Sequence, residues 1–128
     1  MPRSPSKPRS KARIAAQLSG RRAEALAALF LRCKLYSVID SRFRTPVGEI
    51  DLVAERFGTI VFVEVKARTR ASNEVEALGA VNQARIARAA HYWLAKHPLR
   101  ARSSFRFDVI FLAPGQWPRH LKNAFDAS

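Results

Sequence analysis

The sequence predicts an α/β sandwich, with helices packed on a central mixed sheet. Three observations predict it. Two stretches repeat their apolar residues at helical spacing, several short runs are apolar and β-branched, and their order is α-β-β-β-α-β. The length of 128 residues fits one domain with one modest core.

Residues 1 to 18 hold three prolines, several serines and many basic residues, and no acid precedes Glu24. This predicts a flexible cationic tail over 1–18 and a folded domain over 19–128. Ala23, Leu26, Ala27 and Phe30 follow i, i+3, i+4, i+7, so a helix is expected from about 20 to 34, with Ser19 as N-cap. Leu35 opens a strand that runs towards Arg44, and Pro46-Val47-Gly48 reads as a turn. Ile50 to Ala54 and Thr59 to Ala67 form a hairpin closed by Glu55-Arg56-Phe57-Gly58. After a polar loop, Thr69 to Glu76, a second helix is expected from about Leu78 to Lys96. Ile86, Ala89, Ala90, Trp93 and Leu94 lie on its apolar face, and Pro98 stops it. Phe105, Phe107, Val109 and Phe111 alternate as a strand. The segment from Arg119 to Phe125 is open between strand and helix.

Charge is the strongest global signal. There are 23 Lys and Arg against 10 Asp and Glu, a formal net charge of +13. That points to a polyanionic partner, nucleic acid rather than a membrane, with DNA and ribosomal RNA both open because composition does not separate them. No apolar run approaches the ~20 residues of a membrane span, and no apolar core follows the basic N-terminus as a secretory signal needs. A single cysteine, Cys33, forms no internal disulfide and fits a reducing cytoplasm; it reads as a core-edge residue.

The best strands carry acids in their middles. Glu64 lies between Val63 and Val65, and Asp51 between Ile50 and Leu52. Side chains alternate along a strand. Ile50 and Leu52 are thus expected on one face, and Asp51 on the other with Val53. If the two strands pair, Asp51 meets Glu64, and Lys66 follows on the same face. Two carboxylates in a partly dry place repel, and a divalent cation relieves both penalties. Oxygen ligands suit Mg²⁺ or Mn²⁺. The pattern fits a phosphodiester-cleaving site, and it also fits a solvent-facing ion pair between Glu64 and Lys66, a pairing that arises often by chance. Asp108 shares a face with Arg106 and reads as a structural ion pair. His91, His97 and His120 show no ligand spacing and read as helix-face or loop residues. Trp93 reads as core. Trp117 reads as packed in a loop, with stacking on a base as the alternative.

Gly20-Arg21-Arg22-Ala23-Glu24, Gly48-Glu49-Ile50-Asp51-Leu52-Val53, Val61-Phe62-Val63-Glu64-Val65-Lys66-Ala67-Arg68 and Arg106-Phe107-Asp108-Val109 together resemble the YraN-type family of small bacterial proteins. That family is similar in turn to the PD-(D/E)XK nucleases and to archaeal Holliday junction resolvases. The resemblance implies a restriction-endonuclease-like sandwich and a metal-dependent nuclease acting on DNA, branched or junction DNA included. It implies Mg²⁺ or Mn²⁺ held by Asp51, Glu64 and the Val65 carbonyl. It also makes Lys66 the catalytic lysine and Glu24 a further ligand or water holder. Arg21, Arg22, Arg42, Arg44, Arg68, Arg70 and Lys122 are the cations expected to meet nucleic acid, and a homodimer follows by analogy with the resolvases. The rival readings are a non-catalytic nucleic-acid binder and a ribosome- or RNA-associated factor that retain the fold. Two positions differ from the family pattern: Ala23 replaces a usual glycine, and Asn82 a usual lysine.

Overall fold

The computed structural model describes residues 6–67 and 81–126, with side chains described from residue 20 onward in the first helix. Helix α1 spans Ser6–Cys33, then strands β1 Ser37–Thr45, β2 Gly48–Arg56 and β3 Thr59–Ala67 follow. Helix α2 spans Gln83–Lys96, and strands β4 Ser104–Leu112 and β5 Arg119–Phe125 complete the chain. The five strands lie in the order β1-β2-β3-β4-β5. Only β3 and β4 run parallel, from Thr59 beside Ser104 to Ala67 beside Leu112. The other neighbours are antiparallel, so the sheet is mixed. A helix packs on each face: the fold is the expected α/β sandwich, and the undecided last segment is a strand.

Helix α1 starts well before residue 20, inside the segment read as a flexible tail. Pro8 falls in its first turn, where a proline removes no helical hydrogen bond, and Lys11 to Leu18 are mostly good helix formers. Its buried face also differs from expectation. Ala23, Ala27, Ala28 and Leu31 are buried, whereas Leu26 is 56% exposed. Ala27 and Leu31 pack with Tyr36, Leu52, Ala54, Val61, Val63 and Ile110. The helix ends in a Schellman motif. The Tyr36 amide donates to the Leu31 carbonyl at 3.0 Å and the Leu35 amide to Arg32 at 3.0 Å, with Leu35 left-handed at φ 71°. That turn delays β1 to Ser37.

On the other face, Ile86, Ala89, Ala90, Trp93 and Leu94 of α2 cover Ile50, Val53, Ile60, Phe62, Phe107, Val109 and Phe111. The Trp93 indole donates to Asp40 at 3.0 Å. Helix α2 begins at Gln83 because Asn82 caps it, its side-chain oxygen accepting from the Arg85 amide at 3.2 Å. The expected start at Leu78 lies outside the described residues. Gly48 lets the two layers meet, since a Cβ there would lie 2.2 Å from the Arg85 carbonyl oxygen.

Candidate metal and nucleic-acid site

The site forms where β2 and β3 part. Their ladder runs from Arg56 beside Thr59 to Leu52 beside Val63. One step further, the Val65 amide donates not to backbone but to the Asp51 carboxylate, at 2.8 Å. Asp51 thus closes the end of the ladder with its side chain. A second irregularity lies opposite it. Arg42 on β1 has φ 52°, between the pairs Ser41–Leu52 and Phe43–Ile50. The change of face there corrects the expected alternation: Leu52 packs under α1, whereas Ile50 packs under α2.

Asp51 and Glu64 come together as expected. Their carboxyls are hydrogen-bonded, and Glu64 is pushed up from about 4.5 to about 9 by burial, by that bond and by the Asp51 charge. Lys66 Nζ lies 3.8 Å from Glu64 Oε2 and only partly offsets this, while Glu49 adds to it. The Glu64 side chain keeps 18% exposure and Lys66 22%. A solvent-facing ion pair would leave both far more exposed. In metal-free protein Glu64 therefore keeps its proton at neutral pH.

Glu24 reaches the same region from α1. Its Oε1 lies 3.1 Å from Arg42 Nε. Burial and the Asp51 charge raise its carboxyl, and Arg42 opposes them. Glu24 is thus held by an arginine rather than joined to the Asp51–Glu64 pair. No group of three or more His, Cys, Asp or Glu side chains able to hold a metal occurs among the described residues. The donor set is two carboxylates, one of which accepts from the Val65 amide. It suits a hard cation that keeps several waters and takes one or two carboxylates from the protein.

Of the expected cations, Arg21 lines a cleft with Glu24 and Arg42, and Arg44 pairs with Glu49 at 3.6 Å. Arg22 opens on the opposite side of α1. Lys122 sits on β5, with β4 between it and β3, so it is not part of this cluster. Arg68 and Arg70 lie outside the described residues. Glu49, quoted in the family-like stretch but given no role there, is in register with Arg44.

A second polar cluster is structural. Asp108 is fully buried and accepts from Arg106 at 2.9 and 3.1 Å, from His120 Nε2 at 2.6 Å and from the Asn123 amide at 3.0 Å. Lys34 Nζ donates to His120 Nδ1 at 2.8 Å, which fixes the tautomer with its proton on Nε2. Arg106 also donates to the Tyr36 hydroxyl at 2.6 Å. Burial would raise the Asp108 carboxyl, but the bonds from His120, Arg106 and Asn123 outweigh it and hold it below its ordinary range. The expected Arg106–Asp108 pair is present. His120 is corrected from a helix-face or loop residue to a strand residue whose side chain is buried, 2% exposed. Two further expectations change: Cys33 is exposed, and Trp117 is 87% exposed rather than packed.

Residues 23–112 match the family model described as "Uncharacterised protein family UPF0102". A UPF0102 protein of Rhodopseudomonas palustris (strain BisB5) is 48% identical over 126 residues, covering 98% of this chain and 96% of that relative. The UPF0102 protein BRADO0179 of Bradyrhizobium sp. (strain ORS 278) is 48% identical over 124 residues, covering 97% and 88%. A UPF0102 protein of Methylorubrum extorquens (strain PA1) is 50% identical over 107 residues, covering 84% of each chain.

Proposed function

The chain belongs to the uncharacterised protein family UPF0102, and from that premise we propose that it is a metal-dependent nuclease-like protein that hydrolyses phosphodiesters in DNA, branched or junction DNA included. The observation that carries this reading is the contact of Asp51 with Glu64 at the end of the β2–β3 ladder, with Lys66 3.8 Å from Glu64. Asp51, Glu64 and the Val65 carbonyl would hold Mg²⁺ or Mn²⁺. Bound there, such a cation lowers the pKa of a coordinated water and polarises a phosphoryl oxygen. The chain's own residues do the rest. The Val65 amide fixes the Asp51 carboxylate in place. The Lys66 amine steadies charge that develops on the phosphate. Glu24, held by Arg42, positions a water at the edge of the site.

A pure binder gains nothing from acids that face a polyanion, because they repel it. This favours catalysis over the reading of the protein as a nucleic-acid binder or a ribosome-associated factor. The net charge of +13 supplies the attraction that brings the substrate in. The test is a cleavage assay on junction, flap, single-stranded and duplex DNA and on RNA, with Mg²⁺ or Mn²⁺. Cleavage of DNA that disappears in Lys66→Ala and in chelator supports the reading. Cleavage that survives either change refutes it.

A further inference from the structure

An apolar groove of about 730 Å³ runs between α1 and the β4–β5 connection. Leu26, Leu29 and Phe30 form one wall, and Leu112, Pro114 and Trp117 the other. Such a groove needs an occupant, and the exposed Trp117 and the cation of Arg22 that line it identify one. It opens at Ala23 and Ala67. It reaches Cys33, a run of about 15 Å along the helix axis.

The Trp117 side chain is displayed rather than packed. It is 87% exposed. The turn before it carries Pro114, then Gly115 at φ 72°, with the Gln116 amide donating to the Ala113 carbonyl at 3.2 Å. Proline followed by a left-handed glycine is the signature of a type II turn. Pro118 restricts Trp117 from the other side. The ring is thus held out by a stiff turn at the lip of a groove.

We infer that this groove is a subsite for unpaired bases of single-stranded DNA, with Trp117 as the stacking platform. The inference rests on the proposed action on nucleic acid. Arg22 supplies a cation at the mouth for a phosphate, while Lys34 at the far end is committed to His120. Duplex DNA buries its base faces and has nothing to place on Leu29 or Trp117. Unpaired bases present apolar faces next to phosphates, which is the pairing of surfaces that the groove and Arg22 offer.

Tryptophan fluorescence tests this, because Trp93 is 1% exposed and Trp117 is the only other tryptophan. The titrants are a short oligothymidylate and a blunt duplex, in chelator. The single strand is expected to quench the emission, and Trp117→Ala to abolish the quench. Single-strand affinity should fall about tenfold in Trp117→Ala, stay close to wild type in Trp117→Phe, and duplex affinity should not change. Unchanged single-strand affinity in Trp117→Ala overturns the subsite. So does sedimentation showing that Trp117→Ala converts a dimer to a monomer, which would make the groove a self-association face. The Lys66→Ala protein should keep the quench. A quench without cleavage counts against the nuclease reading alone, and cleavage without a quench counts against the subsite alone.

Discussion

Replacing Glu64 with Gln keeps the shape of the protonated acid and removes its titration. In chelator, the wild-type Glu64 holds its proton up to about 9, whereas in the unfolded chain it loses it near 4.5. Between those values the folded state binds the extra proton, so wild-type stability falls as pH rises. The penalty is absent below about 4.5 and complete above about 9. A displacement of that size corresponds to about 6 kcal/mol, at about 1.4 kcal/mol per tenfold change in proton affinity. Water reaches the pair, since Glu64 keeps 18% exposure, and Lys66 lies 3.8 Å away. Both reduce the penalty, and a difference of about 2–4 kcal/mol is expected to survive. The assay is chemical denaturation of both proteins in chelator, from about pH 5 to about pH 9. Glu64→Gln should match wild type at the acid end and exceed it increasingly towards the alkaline end. Parallel stability curves would refute the claim that burial and Asp51 hold the proton on Glu64. A large loss in Glu64→Gln at every pH would mark Glu64 as the structural partner of Lys66 instead.

Divalent metal should replace that proton. Calorimetry in two buffers of different ionisation enthalpy should show about one proton released per Mn²⁺ at neutral pH, and affinity should rise with pH. Leu35→Gly should stabilise the fold by about 0.5–1 kcal/mol in urea melts, because a residue at φ 71° that is 78% exposed loses backbone strain and little packing. Asp108→Asn should destabilise by about 3 kcal/mol or more, since Arg106 and His120 lose their charged partner. It should also flatten the acid limb of the stability profile. The Asp108 carboxyl is held below its ordinary range, so its contribution is present above that range and lost as pH falls.

The layers of this fold were legible because period decides them. Spacing placed Ile86, Ala89, Ala90, Trp93 and Leu94 on one helix face, and the alternation of Phe107, Val109 and Phe111 placed them under it. The Asp51–Glu64 contact was legible for the same reason, because a hairpin of known length sets its own register. What escaped the sequence was set by backbone exceptions. The left-handed Arg42 lies opposite the point where β2 sends Ile50 and Leu52 to different cores, and no residue preference announces a left-handed arginine. Leu35 ends α1 where a glycine would have signalled the stop. His120 and Lys34 are 86 positions apart, so their bond follows only from tertiary packing. The apolar stripe of α1 was blurred because alanines and leucines occur on several sides of it, and two of the leucines, Leu26 and Leu29, remain uncovered.

Anomalous diffraction from a crystal of the wild-type protein grown with Mn²⁺ tests the metal site most directly. The account predicts one strong manganese peak between the Asp51 and Glu64 carboxylates and beside the Val65 carbonyl, with the carboxyl–carboxyl hydrogen bond broken. A crystal grown in the same Mn²⁺ that keeps the Asp51–Glu64 hydrogen bond and shows no peak there would contradict it.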